Sequence, residues 1–397
     1  RMSMAWVSPP FDALEDAVKH PSYPIGMRMR AAYFLRQAYD DAVRNREPGV
    51  GADVSDHDAA AVSALSAGLL DRQHGSLLRH EFAYVMGQLR DERCCPALES
   101  VLLDGSDCVM VRHECGEALG AIGAKRSIPI LEEAIEANRG SPEIGETCEL
   151  SLAHMKWRAA GDSADGEVER GDEPAACACM LAPFNSVDPA PPHPSHVNVS
   201  TNDLGSLLRD SSRPLFERYR AMFSLRNRGG PGAVEELGQA LIADTSSALL
   251  RHEVAYVLGQ LQHPSSVEFL GESLRRTGEH AMVRHEAAEA LGAIEGRWEE
   301  CELLLKEFSS DEDVVVRESC IVALDAADYW GHGSAAAAES KERKSDNPGD
   351  GKEEYHQASM PSFVRQKAFK DEKADGRCSG DHIINVANRQ ANYHFNV

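Results

Sequence analysis

Arg-His-Glu occurs four times in the chain: Arg79-His80-Glu81, Arg112-His113-Glu114, Arg251-His252-Glu253 and Arg284-His285-Glu286. Within each pair the copies stand 33 residues apart (80 to 113, 252 to 285), and the pairs are offset by 172 (80 to 252). Imidazole nitrogens and carboxylate oxygens are ligands for zinc, manganese and non-haem iron. Two imidazoles with one carboxylate leave coordination positions open for a reacting molecule. The competing explanation is a solvated polar face copied by duplication. Terminal repeats need polar faces most, so duplication alone predicts the motif in the outer units. It stands only in inner ones. The pattern therefore predicts two imidazoles and at least one carboxylate per half, brought together as a two-metal centre without thiolate.

The elements that must position these residues are helices in repeat. Leu77-Leu-Arg-His-Glu-Phe-Ala-Tyr-Val-Met-Gly-Gln-Leu89 is followed in phase by Met110-Val-Arg-His-Glu-Cys-Gly-Glu-Ala-Leu-Gly-Ala-Ile122, with a second helix expected at 95–103 between them. Residues 145–152 keep the phase but carry Glu146 in the histidine position. The stretch from Pro24 also matches, with Met29 in that position. The pattern restarts at Pro214, and Arg218, Arg251, Arg284 and Arg317 mark it every 33 residues. The expected fold is all-α, an α-solenoid of HEAT-like helical hairpins in two pseudo-symmetric halves of four repeats. The Trp, Gly-Tyr and Pro landmarks of tetratricopeptide units and the Thr-Pro-Leu-His turn of ankyrin units are missing. The expected division is a half at 1–160 with a surface-loop insertion about 38–57, a linker at 161–211 and a second half at 212–331. A disordered tail at 332–397 follows.

Helical spacing adds two sets of residues. Four positions after each histidine stand Tyr84, Glu117, Tyr256 and Glu289, one turn along the same face. Glu117 and Glu289 are either carboxylates that orient the histidines or partners of a nearby arginine. Seven positions after each histidine stand Gly87, Gly120, Gly259 and Gly292. Glycine inside a helix costs up to about 1 kcal/mol against alanine, so these mark either close helix packing or clearance for an extended substrate.

Composition excludes several classes. A net charge of −23 with no basic stripe argues against nucleic acid. No apolar run is long enough for a bilayer, and residues 1–23 lack a signal-peptide pattern, so a cytoplasmic protein without a membrane partner is expected. Because the chain begins with Arg1, its true start is expected to lie upstream. The ten cysteines are scattered and suit reduced thiols better than a disulfide framework.

These motifs resemble deoxyhypusine hydroxylase, a HEAT-like di-iron monooxygenase family with four His-Glu motifs in two symmetric halves. The resemblance covers roughly residues 8–160 and 184–330, including Ser186-Val-Asp-Pro-Ala-Pro-Pro192, Glu146-Thr-Cys148 and Glu318-Ser-Cys320. It implies two Fe(2+) per chain, O2 as co-substrate, an external reductant, and hydroxylation of deoxyhypusine on one lysine of translation factor five-A. It also implies that His80, His113 and Glu114 hold one iron and that His252, His285 and Glu286 hold the other. Glu81 and Glu253 complete the motifs, either as metal ligands or as grips for the substrate's ammonium groups. A monomer is expected. The alternatives are a non-oxidative two-metal hydrolase on the same scaffold and a metal-free HEAT adaptor.

Overall fold

Helix-favouring residues alternate with short turn signals, and the outcome is sixteen α-helices and no strand among the described residues. The computed structural model describes residues 9–44, 57–162, 184, 186–193, 198–294 and 296–330. The first half consists of hairpins α1 (Phe11–Lys19) with α2 (Ile25–Arg44), α3 (His57–Leu70) with α4 (Gly75–Leu89), α5 (Cys95–Leu103) with α6 (Val109–Ile122), and α7 (Ile128–Ala137) with α8 (Pro142–Asp162). The second half consists of α9 (Thr201–Arg209) with α10 (Leu215–Arg228), α11 (Gly230–Ala243) with α12 (Ala248–Leu261), α13 (Ser266–Arg275) with α14 (Ala281–Ala293), and α15 (Trp298–Phe308) with α16 (Val314–Trp330). The expected all-α solenoid of two four-hairpin halves is what forms.

Two expected boundaries need correction. Residues 201–209 were assigned to the linker but form α9, the first helix of the second half. Ser200 caps it by accepting from the Asp203 N–H, and Leu204 and Leu208, one turn apart, bury its apolar stripe against α10 and α11. The insertion at 38–57 is also shorter than expected, because α2 runs on to Arg44 and α3 begins at His57. The remainder of that insertion and the tail at 332–397 lie outside the described residues, as does most of 163–197. No described helix is long and apolar enough to cross a membrane.

The helices lie in two layers. Odd-numbered helices pack on one another outside, and even-numbered ones pack α2 on α4 on α6 on α8 and α10 on α12 on α14 on α16 inside. The arginine of the repeated motif holds these layers in register. Arg79 Nε donates to the Leu69 carbonyl at the end of α3, at 2.6 Å, and its two Nη atoms grip Asp107 in the turn before α6, at 2.7 and 2.6 Å. Arg284 does the same with Leu274 and Asp311, and Arg218 with Leu208 and Asp244. Arg112 reaches Leu102 and Asn138. Arg251 departs from the pattern and grips Glu279. In these turns, the arginine is a strut and the His-Glu that follows is left to face inward.

The solenoid closes on itself. At one seam α8 packs on α10 and α12, where Ser247 donates to Glu146 at 2.7 Å. Glu146, in the histidine position of the outer repeat, thereby steadies the serine that caps α12 through the Leu250 N–H. At the other seam α16 packs on α2 and α4, with Arg30 paired to Asp325 and stacked on Tyr329.

The mid-helix glycines answer to packing. A Cβ on Gly87 would sit 2.8 Å from the Ala118 Cα, and one on Gly259 would sit 3.0 Å from the Ala290 Cβ. Gly120 and Gly292 meet Ser151 and Ala323 in the same way. Each removes the one atom that would hold adjacent inner helices apart, so close approach, rather than substrate clearance, is their function. Gly87→Ala should therefore destabilise the protein by roughly 1–3 kcal/mol in thermal or denaturant unfolding, despite alanine's higher helix propensity. A variant as stable as wild type would remove the packing explanation.

Candidate metal centre

The inner helices α4, α6, α12 and α14 each deliver one His-Glu pair from their second turns, and closure of the solenoid points all four pairs at one another. His80 lies 5.4 Å from His113, 5.9 Å from His252 and 5.2 Å from His285, between ring centroids. His252 lies 5.2 Å from His113 and 5.3 Å from His285. Glu114 approaches His80 Nε2 to 3.2 Å, and Glu286 approaches His252 Nε2 to 3.4 Å. Every histidine and glutamate of the four motifs is at most 4% exposed. Three sets bring one donor atom each to within 4.8 Å of one another: His80, His113 and His252; His252, His285 and Glu286; and His113, Glu114 and Glu117. None of these sets includes a thiol. These sets hold six of the eight expected site residues, and the other two, Glu81 and Glu253, line the adjoining cleft.

Burial makes this cluster electrostatically unfavourable on its own. His113 and His285 are held well below the ordinary imidazole range by burial and by the neighbouring imidazoles, and His252 is pushed down to about 3. Burial also opposes a charge on His80, but Glu114 and Glu81 outweigh it, and His80 is held above its ordinary range. Glu117, Glu253 and Glu289 are all raised, by burial first and then by neighbouring carboxylates. Neutral imidazoles among crowded carboxylates are the donor set that a divalent cation binds. The ring nitrogens of His113, His252 and His285 have no hydrogen-bond partner among the described residues, so the inner face of the cluster supplies unused lone pairs.

Around the cluster lies a cleft of about 430 Å³, part of it continuous with solvent. It is lined by His80, His252 and the four motif glutamates, by Tyr84, Gln88, Glu117 and Tyr256, and by residues 186–189. Tyr84 and Tyr256 meet across the pseudo-twofold axis, oxygen to oxygen at 2.9 Å. Above them the segment from Ser186 is latched to both halves. The Val187 N–H donates to Gln88, Gln260 donates to Ser186 and Tyr256, and the fully buried Arg226 grips Asp188 beneath the Phe184 ring. The Ser186–Pro192 stretch carries part of the family resemblance, and its sequence alone assigns it no role. Gln88 and Gln260 were readable as equivalent positions in two matching Gly-Gln-Leu stretches. Tyr33, which donates to Glu81 at 2.7 Å, had no signal beyond its phase. Of the two orienting candidates, Glu289 accepts from Ser319 and stands 3.7 Å from His285 Nδ1, and neither it nor Glu117 pairs with an arginine among the described residues.

Comparison with known proteins agrees with this architecture. Residues 57–147 and 234–325 match the HEAT-repeat family. The deoxyhypusine hydroxylases of Mus musculus and Homo sapiens are each 41% identical, over 80% of this chain and 91% of their own length. The chain belongs to the deoxyhypusine hydroxylase family. The solved structure of human deoxyhypusine hydroxylase in complex with glycerol superposes with a TM-score of 0.65 at 40% identity, covering 80% of this chain and 96% of that one. Within this hydroxylase family, Gallus gallus supplies a relative 45% identical over 68% of the chain.

Glu286 gives the centre a measurable pH signature. It is pushed up to about 8 by burial and then by Glu81, whereas a glutamate in an unfolded chain titrates near ~4.3. Between those values the folded chain keeps a proton that the unfolded chain has released. Metal-free protein therefore loses stability as pH rises through that window. Glu286→Gln removes the part of that dependence that Glu286 carries. In chelator, the variant should melt above wild type at pH of about 8 and level with it near pH ~4. Added divalent metal should reverse the order at the higher pH. A wild type that melts higher than the variant in chelator at that pH would contradict the assignment.

Proposed function

We propose that this chain hydroxylates a deoxyhypusine side chain carried on a protein, and that it does so with two irons and O2. What carries the reading is the convergence of four His-Glu pairs in one buried cleft, in a chain 41% identical to hydroxylases of that name. His80, His113 and Glu114 would hold one iron, and His252, His285 and Glu286 the other. The donor set fits: neutral imidazole nitrogens and carboxylate oxygens without thiolate, with buried ring nitrogens lacking any other partner. Bound iron supplies the redox chemistry by which O2 attacks an unactivated C–H bond. One oxygen atom enters that bond as hydroxyl and the other leaves as water, with two electrons from an external reductant and two protons.

The protein's own residues prepare the cleft. Glu289 and Glu117 orient the histidines beside them, a role whose loss costs metal sites about 10–100-fold. Glu81 and Glu253 face the cleft as carboxylates for metal or for substrate amine. The latched segment 186–189 and the Tyr84–Tyr256 pair roof one side and limit water there. An amine-bearing chain entering a carboxylate-lined cleft is charge-matched. The protein substrate is the lysine-bearing translation factor five-A, met by a monomer in the cytoplasm.

Metal analysis after anaerobic reduction tests the reading, followed by O2 and a deoxyhypusine-bearing factor. Two irons per chain, a visible absorption change on adding O2 and formation of hypusine are expected. His113→Ala and His285→Ala should each lower iron content and reduce hydroxylation by more than the roughly 10–100-fold of an outer partner. A colourless, zinc-loaded protein that works without O2 would mark a hydrolase instead. Unchanged metal content in both variants would mark an adaptor.

A further inference from the structure

The phenols of Tyr84 and Tyr256 meet at 2.9 Å, and their separation alone does not say which one donates. The surrounding bonds do. Arg226 is fully buried, its guanidinium has no acceptor, and its Nη1 donates to Gln260 Oε1 at 3.0 Å. That bond fixes the Gln260 amide, so Nε2 donates to Tyr256 Oη at 3.0 Å and to Ser186 Oγ at 3.2 Å. Ser186 agrees with this setting, because its own hydrogen goes to Asp188 Oδ1 at 2.7 Å and it must accept from Gln260. Tyr256 likewise accepts from Gln260, and it completes its donor role by giving its one hydrogen to Tyr84. The Tyr84 hydrogen then turns away from the pair. Burial raises both phenols above their ordinary range; the bond between them lowers Tyr84 and raises Tyr256, the signs of an acceptor and a donor.

The first half has no matching relay. Gln88 stands 172 residues before Gln260, but its Oε1 accepts from the Val187 N–H at 2.8 Å. It makes no hydrogen bond to Tyr84 among the described residues. The two phenols are thus equivalent in sequence and unequal in direction. Tyr84 lies one turn after His80 on α4 and lines the cleft beside His80, Glu81 and Glu114.

We propose that Tyr84 donates into the cleft, to an oxygen or anionic ligand in the open coordination positions of the metal centre. Arg226, Gln260 and Tyr256 act through it as positioning residues. A donor oriented before the ligand arrives costs no reorganisation when negative charge develops on that ligand. This assignment rests on the metal-centre reading and not on the identity of the substrate.

Azide binding to the oxidised, iron-loaded protein, read from visible absorption, tests this without substrate or turnover. Wild type should bind azide, and Tyr84→Phe should weaken it by about tenfold, the usual worth of a hydrogen bond to a charged group. Gln260→Glu should weaken azide by a similar factor. Its carboxylate still accepts from Arg226, but it also takes the Tyr256 hydrogen and so reverses the pair. Gln88→Glu adds the same charge and keeps the acceptor for the Val187 N–H, so it should cost much less than Gln260→Glu. Added to Tyr84→Phe, Gln260→Glu should bring little further loss. Each variant is compared at equal iron content, so that a folding defect registers in thermal unfolding rather than in azide affinity. Wild-type affinity in Tyr84→Phe, equal losses in the two glutamate variants, or additive losses in the double variant would overturn the relay. Wild type that loads iron but takes no azide would overturn the donor role. Wild type that loads no iron would reject the metal-centre reading, and this assignment with it.

Discussion

Burying many like-charged and titratable groups together is costly unless cations join them, and the centre of this molecule is organised around that cost. Four imidazoles and the glutamates beside them sit almost fully out of water, with carboxyls pushed up and most of the imidazoles pushed down. Neutral donors offset only part of that cost: Tyr33 donates to Glu81 and Ser319 to Glu289. The arginines that precede each histidine, the obvious counter-ions, are turned away to brace the turns between hairpins. That outward commitment leaves the cluster with surplus donor atoms and negative charge, a donor set that suits a divalent cation.

Such a cluster needs a scaffold that does not splay, and closure of the solenoid supplies it. An open superhelix of the same hairpins would set the two histidine pairs on separate stretches of a concave surface. Here α8 meets α10 and α12 while α16 returns to α2 and α4, so the inner layer has no free end. The mid-helix glycines bring adjacent inner helices close enough for the His-Glu side chains to share one cleft. Packing at these sites and chemistry at the centre are thus consequences of one geometry.

Much of this was legible from phase alone. The 33-residue repeat singles out His80, His113, His252 and His285 as inner-unit residues and predicts the hairpin fold, because neighbouring repeats contact each other locally. Contacts between halves were less legible. The 5.2 Å approach of His80 to His285 depends on how eight hairpins accumulate curvature, which no local pattern states. The linker misled for a different reason. Its Pro- and Gly-rich composition masked a short amphipathic helix at Thr201–Arg209, whose Leu204 and Leu208 stripe becomes stable only once α10 and α11 are in place. Tyr33 and Phe223 show the remaining limit: the repeat marks them as equivalent, but only three-dimensional placement reveals that the Tyr33 hydroxyl donates to Glu81.

The two seams that close the ring are not mechanically alike. Chain continuity joins α8 to α9, and the latched segment between them is pinned to both halves by Gln88, Gln260 and Arg226. Among the described residues, the seam between α16 and α2 is held by side chains, chiefly Arg30 with Asp325 and Tyr329. A tether keeps the effective concentration of its two ends high, so that seam recloses whenever it opens. The molecule is in effect a clasp with a riveted hinge on one side and a snap on the other. Any opening of the ring is therefore less readily reversed at the snap than at the tethered seam.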